Sequence, residues 1–477
     1  MFLEPKTFPS DHVESAQICV FGSGPAGLTL AQDLARRGVS VLLVEAGGLY
    51  FEDWSQQLYA GSVVGDAYYD LAEARLRMFG GTSNHWGGRC IPLDSYDFEP
   101  HPGFPETGWP ISKGDLDPYL AGACEVVEIT NDFKVEQYTE NVVKNTFQYS
   151  APVLFGEKYM EFCESSDALK VCLETALIDL EPEGDAIRHA TVRTRDGETW
   201  RIQADNFVMC LGGIENSRML LWFDEQHGGA LNANRDVLGA YWMEHPHANL
   251  ADVVFRETGE GFFKDGEATF ALTREAQVSA GILNAGLQMT EAAYGSGSKQ
   301  LIADLLCVAP GLGARILKST QGKALVCGSR LESHWEQAPV RTNRVALGDE
   351  TDALGIPRPQ LHWRRSEQDR LTATMSTLIF AQDLAQADLG RARLAEWIAE
   401  DGAIPNGGMI AGWHHMGGTR MHDSPSHGVV DKNLKVHKLQ NLYIGGSSVF
   451  PTGGYANPTL TIVQMSLRLA DHLATLV

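Results

Sequence analysis

Residues 18–48, ICVFGSGPAGLTLAQDLARRGVSVLLVEAGG, constrain this chain more than any other stretch. An apolar run, Ile18–Phe21, leads into Gly22-Ser23-Gly24-Pro25-Ala26-Gly27. Helical spacing then continues over Leu28–Arg37 to Gly38, and a second apolar run, Val39–Val44, closes on Glu45-Ala46. Strand, glycine turn, helix, strand and acid, in that order, predict a βαβ unit that binds a dinucleotide. Gly22 permits a tight turn, Gly24 lets a pyrophosphate approach the backbone, and Gly27 lets the helix pack closely, while free N–H groups at the helix start hold the anion. Glu45 falls where a carboxylate accepts from ribose hydroxyls.

At 477 residues the chain exceeds the size at which one hydrophobic core stops growing, so two domains are expected. A formal charge of −23 argues against a nucleic-acid partner, which needs clustered Lys and Arg. The eight cysteines are scattered, with no CxxC pair and no metal-ligand spacing, and read as reduced core residues. The first residues show no export signal. The most apolar window, 301–317, is broken by Asp304, Pro310 and Arg315 and is too short to span a bilayer. A cytoplasmic protein is expected, its oligomeric state open.

Residues 171–211 alternate apolar and polar residues around turns at 183–185 and 195–197, which predicts an antiparallel meander returning to the core at Asn206–Leu211. Residues 246–363 read as β-rich. Leu371–Leu389, stopped by Gly390, and Thr459–Leu476 are the clearest further helices. The dinucleotide-binding domain is therefore expected to be discontinuous, over 1–100, 166–245 and 411–477, with a substrate-binding cap domain from 101–165 and 246–410. Such an organisation suits a large flavin.

Four separated segments carry a resemblance. They are GSGPAG…VEAGG near the N-terminus, GGTSNHWGGRC at 80–90, CLGGIENSRMLL at 210–221, and HHMGGTRM…GVVD…NLYIGGSSVFP…NPTLTI near the C-terminus. Together they resemble the glucose-methanol-choline (GMC) oxidoreductases, most closely the branch of bacterial sugar and polyol dehydrogenases and pyranose oxidases. The resemblance implies an α/β fold: a Rossmann-type FAD-binding domain of the glutathione reductase-like kind, with a second substrate domain built on an antiparallel β-sheet with helices. It also implies oxidation of a CH–OH group in a sugar, glycoside, polyol or natural-product alcohol, with electrons passing to oxygen or to a quinone or protein acceptor. FAD contacts are implied for Gly22, Ser23, Gly24, Pro25, Ala26, Gly27, Glu45 and Ala46. In the 80–90 loop they are implied for Gly80, Gly81, Thr82, Ser83, Asn84, His85, Trp86 and Gly87. Further along, Cys210, Gly212, Gly446, Asn457, Pro458 and Thr459 complete the set. In some members a histidine of the 80–90 loop is bonded to the flavin, and His85 holds that position; others bind FAD without a bond.

Alcohol oxidation removes a hydroxyl proton and a hydride from one carbon, so a base must stand by the substrate oxygen. A neutral imidazole suits this task near neutral pH. His414 and His415 are adjacent candidates, and the family's HxxG spacing selects His414, with His415 as a neighbour. Asn457 precedes Pro458 at a sound helix start, and the family places an Asn or His here beside the catalytic histidine. The positive end of that helix would face the flavin edge that gains charge on reduction. His245 and His247 have a spacing that suits a metal but lack a third ligand, so a structural or pocket-lining role is expected. Glu336 and Gln337 would either reach the substrate or end an exposed strand. His422, His427 and His437 read as surface groups. Two other classes stay open: a lyase on the same scaffold, and a flavoprotein without catalysis.

Overall fold

The structure, a computed structural model, describes every residue except 6, 7, 10, 11, 257–261, 265, 291–327, 408 and 409. The apolar window at 301–317, Cys307 and Cys327 therefore lie outside the described residues.

A first seven-stranded sheet grows from the βαβ unit. Its strands run in the order Leu169–Cys172, Val41–Val44, Val13–Phe21, Thr199–Met209, Ala186–Thr194, Thr175–Glu183, and Leu442–Ile444 also pairs with Thr199–Met209. The Thr199–Met209 strand forks. On one edge it pairs parallel with Val13–Phe21 from Arg201 to Met209; on the other its start pairs antiparallel with Ala186–Thr194 and its end parallel with Leu442–Ile444. The parallel strands are buried without alternation, as helix cover on both faces requires. The helices Pro25–Arg36 and Pro458–Ala474 pack on one another beside this sheet. The 171–211 region forms the expected meander.

A second seven-stranded sheet is antiparallel throughout, in the order Gly390–Leu394, His247–Phe255, Ser329–Trp335, Ala285–Thr290, Glu267–Leu272, Val142–Asn145, Val135–Gln137. It buries its own core, including Phe270, Leu287 and Trp335, under the helix Glu367–Gln386. That helix begins four residues before the expected Leu371 because Ser366 and Asp369 form a capping box. Gly390 does not simply stop it but opens the next strand. A third sheet joins Ser62–Gly65 to Arg344–Thr351 and Pro357–Trp363. Among the described residues no helix is long and apolar enough to cross a membrane. The described cysteines, Cys19, Cys90, Cys124, Cys163, Cys172 and Cys210, are buried and free.

Candidate active site

One cavity of about 500 Å³ runs from the N-terminal glycine turn to His414 and Asn457. At its far end Gly22 turns at φ +99°, where an added Cβ would lie 2.4 Å from the Cys210 carbonyl oxygen, so only glycine fits. A Cβ on Gly24, by contrast, would meet nothing within 4 Å and would project into open space. Gly24 is the N-cap of the helix Pro25–Arg36, which has no side-chain cap and no acid in its first turn, so its leading N–H groups are free for an anion. Glu45 lines the same end. Its carboxylate accepts from the Ser23 backbone N–H (2.9 Å), the Ser23 hydroxyl (2.7 Å) and the Gly47 N–H (2.8 Å), which fixes it before any ribose arrives.

Most other residues expected at the cofactor border the cavity, among them Ser83, His85, Trp86, Cys210, Gly446 and Thr459. Three do not. Gly27 packs against the protein itself, since a Cβ there would sit 1.8 Å from the Gly22 carbonyl oxygen. Gly80 faces Gly156, whose backbone nitrogen would be 2.6 Å from an added Cβ. Asn84 turns its amide to the Phe79 and Gly81 carbonyls, at 3.0 and 2.9 Å. These bonds hold Gly81–His85 as a short 3-10 helix within the 80–90 segment.

At the near end, the segments 243–247 and 410–416 run antiparallel. Met243 and Met416 exchange backbone bonds at 2.8 and 3.0 Å, Gly412 N–H donates to the His245 carbonyl (3.1 Å), and His247 N–H donates to that of Ile410 (3.0 Å). This pairing sets His245 opposite His414, with the two Nδ1 atoms 2.8 Å apart and the rings nearly perpendicular. On its other side, His414 Nε2 stands 3.1 Å from the Asn457 amide nitrogen. Asn457 occupies the N-cap of Pro458–Ala474 without capping it by its side chain, and its Oδ1 is buried with no partner. The expected helix start is correct, but the amide is committed to His414.

Glu244 anchors this arrangement from behind. Fully buried, it accepts the His414 N–H (2.6 Å), the His245 N–H (2.8 Å) and the Tyr68 hydroxyl. His415 points the same way, its Nε2 3.0 Å from the Tyr68 oxygen. Burial raises Glu244 to about 7 against its hydrogen bonds. Burial lowers His245 to about 4, and burial with Arg75 lowers His415 to about 3. Burial, then the neighbouring His245, His247, His415 and Arg89, hold His414 well below the usual imidazole range, so the ring is neutral near neutral pH.

Trp413 lines the mouth at φ +59°, a conformation a bulky residue rarely adopts. It stacks on His85 and meets Tyr69 edge-on. His247 and His334 stack on the second, antiparallel sheet, and no group of three or more His, Cys, Asp or Glu among the described residues is placed to hold a metal. Glu336 and Gln337 are neither exposed nor at the cavity. Both are buried: Glu336 accepts from the Asn284 N–H and Gln337 accepts from the Glu244 N–H. His427 is exposed, and His422 and His437 are half-buried.

Sequence reading passed over Tyr68, Glu244, Arg75 and Trp413. Only Trp413, beside the selected histidine, carried a local signal. Arg75 also lines the cavity and is held by Glu215 (3.0 Å), which Arg218 shares at 2.9 Å. Burial opposes ionisation of Glu215, but Arg218, Arg75 and Arg77 outweigh it and lower the carboxyl to about 2.

An FAD binding domain family matches residues 15–48, and the GMC oxidoreductase family matches residues 339–466. The fructose dehydrogenase large subunit of Gluconobacter japonicus is 24% identical, over 97% of this chain and 98% of that protein. The 2-methyl-1,2-propanediol dehydrogenase of Mycolicibacterium austroafricanum is 28% identical over 61% of this chain and 51% of its own length. Among solved structures, pyridoxine 4-oxidase from Mesorbium loti shares the fold at a TM-score of 0.58 and 17% identity, covering 96% of this chain and 99% of that one. The glycine cradle, with its uncapped helix and open Gly24, fits the phosphates of such a cofactor, and the unpartnered Asn457 oxygen lies at the opposite end. The chain carries the C-terminal domain of the GMC oxidoreductases behind an FAD-binding domain, and its cofactor is FAD.

Proposed function

We propose that this protein oxidises a CH–OH group to a carbonyl, with His414 as the base and Asn457 as the group that orients the hydroxyl. The observation that carries this reading is the 3.1 Å pairing of His414 Nε2 with the Asn457 amide at the end of the cavity. A hydroxyl oxygen placed about 2.9 Å from each atom would accept from the amide N–H and donate to the imidazole nitrogen. As the proton moves to Nε2, the amide stabilises charge gathering on the substrate oxygen. The bound flavin supplies the acceptor for the hydride. Gly22–Ala26, Glu45, Gly81, Thr82, Ser83, His85 and the start of the Pro458–Ala474 helix would hold it.

Sugars, polyols, glycosides and natural-product alcohols are the substrate candidates, and oxygen, a quinone or a protein the electron acceptors. The reading is tested by anaerobic bleaching of the flavin with a panel of such alcohols, followed by reoxidation with air or a quinone. Wild-type flavin should bleach, and His414→Ala should bleach about 10²- to 10⁴-fold more slowly. Unchanged bleaching in the variant would remove His414 as the base. A lyase on the same scaffold would leave the yellow spectrum intact with every alcohol. His85 lines the cavity whether bonded or not, and acid precipitation decides between the two, since colour stays with the protein only if a bond exists.

A further inference from the structure

We infer that His245 is a positioning residue that fixes the tautomer of His414, accepting its Nδ1–H so that the Nε2 lone pair faces the substrate. The inference rests on the reading of His414 as the base and adds a direction to each proton around it.

The order of donors follows from the outer end of the chain of contacts. The Asn457 amide nitrogen can only donate, which requires a lone pair on His414 Nε2. The proton of the neutral ring then sits on His414 Nδ1, and across 2.8 Å it is donated to His245 Nδ1. His245 in turn carries its own proton on Nε2, which is buried beside Gly453 without a hydrogen-bond partner.

No carboxylate bonds the His414 ring among the described residues. The nearest, Glu244, is occupied by the backbone N–H groups of His414 and His245 and by Tyr68. The charged and titratable groups around the ring include His245, His247, His334, His415 and Arg89, all neutral or positive. A neutral acceptor therefore steadies the imidazolium formed in the reaction while leaving the resting histidine uncharged. An acidic partner would keep it protonated. The clamp is held by Glu244, whose two backbone bonds fix both histidines on their paired segments.

The test uses the FAD-loaded enzyme labelled with ¹⁵N-histidine, the His414 resonances being assigned by their loss in His414→Ala. Wild type should show the Nδ1–H tautomer at His414. His245→Leu should give a mixture of tautomers, lower kcat about 100-fold with little change in KM, and move the acid limb of kcat/KM to lower pH, since the imidazolium loses its acceptor. His245→Asn, whose amide oxygen replaces the Nδ1 acceptor, should recover at least tenfold of the lost kcat. An Nε2–H tautomer in the wild type, or an unchanged Nδ1–H tautomer in His245→Leu, overturns the inference. So does a loss in His245→Leu that His245→Asn does not repair while both retain the flavin spectrum. If His245→Leu fails to fold, the wild-type tautomer and the His245→Asn variant decide. The tautomer is read without turnover, so failure of His414 as the base would appear separately, as undiminished bleaching in His414→Ala.

Discussion

Gly24 and Gly27 stand three residues apart in one motif, yet alanine should do opposite things at the two positions. Gly24 has φ −70° and ψ −175°, which alanine adopts freely, and its new Cβ would touch no protein atom within 4 Å. Gly24→Ala should therefore fold, and the restricted unfolded chain should add about 0.4–1 kcal/mol to the stability of the apoprotein. The methyl would, however, stand where an FAD phosphate must approach the helix N-terminus. If it displaces one charge-assisted hydrogen bond, worth roughly 1.5–3 kcal/mol, FAD affinity falls by about 10- to 150-fold. At Gly27 the new Cβ would sit 1.8 Å from a backbone oxygen, so helix and turn must separate. Overpacking of this kind costs roughly 1–3 kcal/mol, and the loss falls on the apoprotein. Thermal melting of the apoproteins, with FAD titration followed by fluorescence, separates the two effects. If Gly24→Ala binds FAD within threefold of wild type, the phosphates do not pass this residue and the cradle is wrongly located.

Asn457→Ala should lower kcat by about 10²- to 10³-fold, the loss of one donor to the developing oxyanion. It should cost none of the roughly 1 kcal/mol usual at an N-cap, because the side chain makes no capping bond; a variant that melts several degrees lower with normal kcat would contradict this. Trp413→Gly removes a left-handed strain of about 1–2 kcal/mol together with the ring contacts to Tyr69 and His85. Its melting temperature should stay near wild type while KM rises, and a large destabilisation would show that the indole serves the fold instead. The pH dependence of stability has two opposing arms. The depressed His245, His247 and His415 bind fewer protons folded than unfolded, so stability rises from about pH 4 to 6.5. Glu244 binds more protons folded, because burial raises it to about 7, and Asp97 and Glu336 are raised by burial as well, so stability falls as pH rises through 7. Melting scans should peak near pH 6.5, and a profile still rising at pH 8 would refute the carboxylate arm.

The N-terminal glycine motif was legible because its constraints are local: a tight turn, a helix start and a buried strand lie within thirty residues. Within it Gly24 reads toward a ligand and Gly27 toward helix packing, whereas the 80–90 segment does not reveal which of its glycines face protein. The neighbour excluded at Gly80 is Gly156, far along the chain. His414 was selected by spacing and resemblance, but its inner partner was not. His245 meets it only because 243–247 and 410–416 pair across some 170 residues, and an isolated backbone pairing leaves no periodic signal. Glu244 escaped notice for a related reason, since an acid in an apolar stretch does not disclose that it will receive two backbone N–H groups. The capping box at Ser366 and Asp369 was within reach of local reading, and the apolar spacing beginning at Leu371 obscured it.

The segment bearing His414 is pinned at one side to the start of the antiparallel strand His247–Phe255, through Pro246 and Ala411, and at the other beside the first sheet, where Gly417, Thr419 and Met421 donate to 447–449. The proposed base, His414, therefore belongs to neither half alone. The proposed reactive centre is complete only where both sheets have formed and met. No fragment holding a single sheet can then carry a partial activity, and an incompletely docked chain that has already taken up its nucleotide would be coloured but inert.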